Sequence, residues 1–104
     1  MLCMLTVRRL KAGAEEDFAR VWAPDRWNPR MVRAYHLRRQ DDPLEAVTLA
    51  FFEGTAEEIE AMRDQAAWMA GEDKRLRRIA PLEESILLTG VFEVVDEVVR
   101  ERAQ

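Results

Sequence analysis

A single cysteine, a single histidine and four glycines that never cluster close off several kinds of chemistry. Cys3 has no partner for an internal disulfide, so a reducing compartment is compatible. His36 has no second histidine or cysteine at ligand spacing, which argues against a metal site. Without a glycine cluster there is no phosphate-cradling loop. The longest apolar start, Met1–Leu5, is too short to span a bilayer, and basic residues follow it rather than precede it. A cytoplasmic protein without membrane attachment is therefore expected. The net charge of -4 gives no reason to expect nucleic acid as a partner. Basic residues gather at Arg8, Arg9 and Lys11 and again at Lys74, Arg75, Arg77 and Arg78, but acidic neighbours offset them, as on a solvated face.

What the 104 residues do contain is a globular balance: 48% apolar and 35% charged, enough for one domain, 1–104, with thin core layers. Residues 2–10 are β-compatible and stop at Lys11-Ala12-Gly13. From Ala14 the period becomes helical through Phe18, Val21 and Trp22, with acidic residues in the first turn, until Pro24. Residues 24–30 form a loop. Residues 31–39 read as a strand, 40–43 as a turn and 46–52 as a third, strongly apolar strand, making a hairpin. Thr55-Ala56-Glu57-Glu58 is a capping box. The helix behind it shows Ile59, Met62, Ala66 and Met69 on one face and is expected to end near Gly71. A short helical piece over 72–80 closes at Pro81, and 85–95 is the last strand. The polar tail from Asp96 either extends as a short helix or frays.

This order predicts an α+β, ferredoxin-like βαββαβ fold: one four-stranded antiparallel sheet with helices on one face. A shift of 42 residues lays Leu5-Thr6-Val7 on Val47-Thr48-Leu49 and Ala14-Glu15-Glu16 on Ala56-Glu57-Glu58. The overlay places Thr6 and Thr48 on the same face. Parity puts Cys3, Leu5, Val7, Val47, Leu49 and Phe51 on the other face, with no helix left to cover them. Such a patch marks an interface, and a homodimer packing two sheets into a common barrel is expected.

Several residues stand out chemically. His36 is either a structural group or a general acid or base with a reference pKa near ~6.5. Arg8 shares parity with Thr6; it either snorkels to solvent or holds an anion at a pocket mouth. Thr6 and Thr48 are polar in apolar strands and either bond to backbone or orient a ligand. Trp68 either covers the second helix or lines a cleft beside it, and Met62 with Met69 can form a soft pocket wall. Trp22 has core spacing, and Trp27, in the loop, is a lid or a dimer contact.

The run Lys11-Ala12-Gly13-Ala14-Glu15-Glu16-Asp17-Phe18, then Tyr35-His36-Leu37-Arg38-Arg39, then Asp41-Asp42-Pro43, resembles antibiotic-biosynthesis-monooxygenase-like proteins. The resemblance covers nearly the whole chain, and stress-responsive barrel proteins and lactone isomerases look similar at this level. It implies a dimeric α+β barrel, in a group that includes cofactor-independent oxygenases of aromatic polyketides or quinols, haem-degrading enzymes and members without assigned activity. The haem-degrading branch uses an Asn on the first strand, a Trp in the second helix and a later helical His. Here the first position is Thr6, the second Ala61 or Met62, and that helix holds no His, which argues against haem degradation. Two functions follow as expectations. One is a monooxygenase-like enzyme without cofactor that binds a small aromatic or quinol-type substrate between helices and sheet, through Thr6, Thr48, Trp68 and Met62, with Arg8 or His36 stabilising the substrate anion. The other is a non-catalytic dimeric module for ligand binding or assembly.

Overall fold

Leu2–Leu10 forms β1, and alternation sends Leu2, Met4, Thr6, Arg8 and Leu10 to one face and Cys3, Leu5, Val7 and Arg9 to the other. Gly13, at φ +81°, makes the left-handed turn into helix α1, Glu15–Val21. Strands β2, Met31–Arg39, and β3, Asp42–Phe52, form the hairpin. Helices α2, Ala56–Arg63, and α3, Ala66–Ile79, follow, then one 3₁₀ turn, Ala80–Leu82, and strand β4, Glu83–Glu93. The computed structural model describes residues 1–101. The sheet order is β2-β3-β1-β4 with every neighbour antiparallel, the ferredoxin-like arrangement expected. No helix among the described residues is long and apolar enough to cross a membrane.

Three boundaries differ from the sequence reading. Strand β3 starts at Asp42, before the expected Ala46, and so contains Pro43. The register jumps there from Arg38↔Ala46 to Arg39↔Asp42, so the proline sits in an irregularity that asks no ladder hydrogen bond of it. The second helical segment breaks at Asp64-Gln65, not at Gly71, because Gln65 is extended and restarts the chain as the N-cap of α3. Gly71 lies inside α3, in ordinary helical conformation. Strand β4 spans Glu83–Glu93, two residues earlier than expected, and residues 94–101 carry no helix or strand.

The capping box is formed: Glu58 N donates to Thr55 Oγ1 at 3.1 Å and Thr55 N donates to Glu58 Oε1 at 3.1 Å. Thr55→Ala removes one of these bonds at the only helix start among the described residues with a side-chain cap. It should destabilise the fold by roughly 0.5–2 kcal/mol in chemical denaturation, with oligomeric state unchanged. An unmoved midpoint would mean the bond contributes nothing.

The core beneath the helices comes in two pieces. Leu10, Ala14, Phe18, Ala46 and Ile79 form one, and Phe52, Ile59 and Met62 the other, with Leu2, Met4, Met31, Ala50 and Trp68 packed against it. Between them along β1 and β3 stand Thr6, Arg8 and Thr48, where a continuous core would place aliphatic side chains. The opposite face is apolar and uncovered within the chain. Tyr35, Leu37, Leu88 and Phe92, cross-strand from Leu49, Val47, Val7 and Cys3, are 45%, 48%, 51% and 45% exposed.

Candidate functional site

The gap between the two core pieces is a cavity of about 430 Å³. Its floor is a row of hydroxyls. Thr6 is the cross-strand partner of Thr48 on one side and of Thr89 on the other, so three strands present threonine at one level. Directly paired residues of antiparallel strands share a face, which is why the 42-residue sequence overlay located the first two. Thr6 Oγ1 and Thr89 Oγ1 are 3.0 Å apart and share one proton between them. All three threonines line the cavity, and the chain's fourth threonine is the helix cap Thr55.

The walls are aromatic. Trp22, Trp27 and Trp68 all line the cavity, and the chain has no other tryptophan. Trp22 and Trp27 meet edge to face with centroids 6.0 Å apart, and Trp68 stands edge to face on Phe52 at 6.0 Å. Trp22 and Trp27 are tied in place from outside. Arg75 of α3 donates to the Trp22 carbonyl at 2.9 Å and pairs with Glu72. Lys74 and Arg78 bind the two oxygens of Asp25 at 2.7 and 2.9 Å, fixing the loop that carries Trp27. The same two cations hold the Asp25 carboxyl below its usual pKa. Arg63, Glu72 and Arg75 stand around the cavity too; Arg63 has no ion pair among the described residues.

Arg8 lies beneath this site rather than in its lining. It is 2% exposed, its Nε donates to Glu83 Oε2 at 2.7 Å, and its Nη1 donates to Thr48 Oγ1 at 3.1 Å. Burial pushes the guanidinium pKa down and the bond to Glu83 pulls it back up. The Phe18 ring centroid lies 6.0 Å from the guanidinium carbon. The guanidinium therefore does not snorkel to solvent; it reaches the cavity through Thr48.

His36 is also off the cavity wall. It sits across from Thr48 and shares its face, half-buried, with its ring 5.1 Å from Phe18 and 5.9 Å from Trp22. It makes no side-chain hydrogen bond among the described residues. Burial, and then the charge of Arg38, lower its pKa. The folded state thus binds this proton less readily than the unfolded chain. Stability from the neutral ring is complete above about pH 6.5 and is lost as the pH falls below that value through the folded pKa. Wild type should lose stability relative to His36→Gln across that window, measured by denaturation at a pH series. A difference that does not change with pH would place the ring in water instead.

Met62 is a core residue, 4% exposed, packed with Phe52 and Ile59 behind Trp68; the structure does not bring it to the cavity. Of the sequence candidates, Thr6, Thr48 and Trp68 converge on one cavity, while Arg8, His36 and Met62 stand behind its walls. Thr89, Arg63, Glu72, Arg75 and the cavity-facing role of Trp22 escaped the sequence reading.

No family model matches the chain, and no curated protein matches it by sequence. Solved structures do. A proposed antibiotic biosynthesis monooxygenase from Chloroflexus aurantiacus J-10-fl superposes at TM-score 0.70 with 10% identity, covering 94% of this chain and 96% of its own. SnoaB, described as a cofactor-independent oxygenase from Streptomyces nogalater, gives 0.68 at 16% identity, covering 95% and 97%. A proposed antibiotic biosynthesis monooxygenase from Nitrosomonas europaea gives 0.65 at 17%, covering 92% and 100%. The resemblance read from the sequence thus holds for the fold over nearly the full length of each chain.

Proposed function

We propose that the cavity takes a small aromatic, quinol-type molecule and that the chain, as a cytoplasmic homodimer, oxygenates it without a cofactor. The observation that carries this reading is the composition of one cavity: every tryptophan of the chain and three of its four threonines line it. Tryptophan faces and edges favour a planar ring. Threonine hydroxyls give or accept hydrogen bonds at ring oxygens. A volume of about 430 Å³ falls in the range of small-molecule pockets. In such a reaction the substrate's own anion passes electrons to dioxygen, so the protein needs only to bind the ring, exclude water and favour the deprotonated form. The fold shared with SnoaB supports the reaction class by analogy.

A second reading has its own support. Arg8 and His36, the two groups expected to steady an anion or move a proton, are absent from the lining, which suits a dimeric module that binds a ligand without transforming it. Oxygen uptake separates the two. With 1,4-dihydroxynaphthalene, an oxygenase should consume dioxygen in proportion to protein and above the rate of autoxidation in buffer. Saturable binding with no added uptake would leave the binding module.

A further inference from the structure

We propose that the Thr48 hydroxyl is the group that holds an oxyanion in this cavity, a phenolate or enolate oxygen on the ring, and that Arg8 is the positioning residue that turns its proton toward it. The proposal rests on the reading that the cavity binds an oxygen-bearing aromatic molecule, and it names the group that would recognise the oxygen.

The direction of one hydrogen bond makes the case. A guanidinium has only donors, so in the 3.1 Å contact between Arg8 Nη1 and Thr48 Oγ1 the threonine oxygen must accept. Its own proton then points elsewhere, and it is not used in any side-chain hydrogen bond among the described residues. Thr48 is 8% exposed, and what it faces besides protein is the cavity. That proton is therefore available to whatever occupies the cavity. Accepting from a cation also polarises the O–H, which makes it a better donor to an anion than to a neutral carbonyl.

Arg8 is placed to do this and little else. It is almost completely buried, and the Glu83 carboxylate at 2.7 Å fixes its orientation. Because it is off the cavity wall, its charge reaches a ligand through Thr48. The neighbouring pair adds a second donor. Either hydroxyl of the 3.0 Å Thr6–Thr89 pair can donate; when Thr89 does, the Thr6 proton is free, directly across from Thr48 on the same face. Cross-strand Cβ atoms stand about 4.5–5.5 Å apart. Two hydroxyl protons at that spacing can converge on one ring oxygen.

Two probes of the same size test this: 4-nitrophenolate, which carries the oxyanion, and nitrobenzene, which lacks it. Wild type should bind 4-nitrophenolate more tightly than nitrobenzene, and the visible spectrum of the bound phenol should show its apparent pKa lowered. Thr48→Val keeps the side-chain shape and should lose about tenfold in phenolate affinity while nitrobenzene affinity stays. Thr48→Ser should restore the preference. Arg8→Lys keeps the charge but lacks the fork that reaches Glu83 and Thr48 together, and it should behave like Thr48→Val. An unchanged phenolate-to-nitrobenzene ratio in Thr48→Val overturns the Thr48 assignment, and an unchanged ratio in Arg8→Lys overturns the positioning role. If Arg8→Lys does not fold, the two Thr48 variants decide. If neither probe binds wild type, the aromatic cavity reading fails and this proposal with it; if nitrobenzene binds and the phenolate gains nothing, only this proposal falls.

Discussion

Leu49→Lys should convert a homodimer into a monomer of about half the mass, or into insoluble protein. Leu49 lies at the middle of the helix-free face, paired with Leu5 on one side and Tyr35 on the other. Around it stand Val7, Val47, Leu37, Leu88 and Phe92, with the last three about half exposed in the single chain. A continuous apolar sheet face of this kind favours burial against another surface. A second copy offers the same surface under twofold symmetry. Burying a leucine side chain stabilises by about 1.5–3 kcal/mol, and a symmetric dimer loses two at once. The dissociation constant should therefore rise by roughly a hundredfold to ten-thousandfold. Sedimentation velocity at micromolar concentration reads the change directly. A wild type that already sediments as a monomer of about 12.1 kDa overturns the dimer.

Arg8→Met should be the most destabilising of the site substitutions. It leaves Glu83, and with it the Thr48 hydroxyl, without the partner that each now has. Removing one member of a buried ion pair costs about 3–5 kcal/mol, and the lower end applies because Glu83 remains 21% exposed. In a chain of this size that lowers the melting temperature by roughly 12–24 °C. The paired change Arg8→Met with Glu83→Leu should recover most of the loss, since it leaves no orphaned charge. A loss below about 1 kcal/mol for Arg8→Met alone would mean the pair behaves as a surface contact.

The strands and their faces were legible because period-two alternation and the internal 42-residue overlay fix parity without coordinates. That is how Thr6 and Thr48 were placed together. Thr89 was not reachable the same way: its facing depends on how β4 is registered against β1, and that register slips between Val7 and Arg8. Nothing local in Ile86-Leu87-Leu88-Thr89 announces the slip. Trp22 has the spacing of a core residue and does pack against the Phe18 cluster, while at the C-cap of α1 it also lines the cavity, which the spacing alone does not reveal. Gly71 looked like a helix end because glycine usually marks one. The break at Asp64-Gln65 instead follows from Gln65 adopting an extended conformation. The facing of His36 follows from a pairing that sequence alone cannot give, His36 across from Thr48. The placement of Glu72 and Arg75 comes from long-range packing of α3 against the end of α1 and the loop at 24–30, and that of Arg63 from the last turn of α2, which no local pattern encodes.

Because Trp22, Trp27 and Trp68 are all of the tryptophans and all line the cavity, intrinsic tryptophan fluorescence reports on its occupancy. Titrating the wild-type protein with 1,4-dihydroxynaphthalene under anaerobic conditions is the most direct measurement. A ligand seated between these rings should quench the emission along a saturating curve with one site per chain, and Trp68→Ala should weaken the binding. Quenching that grows linearly with concentration into the millimolar range, identical in Trp68→Ala, would mean that the ring collides with the surface and that the cavity is not a binding site.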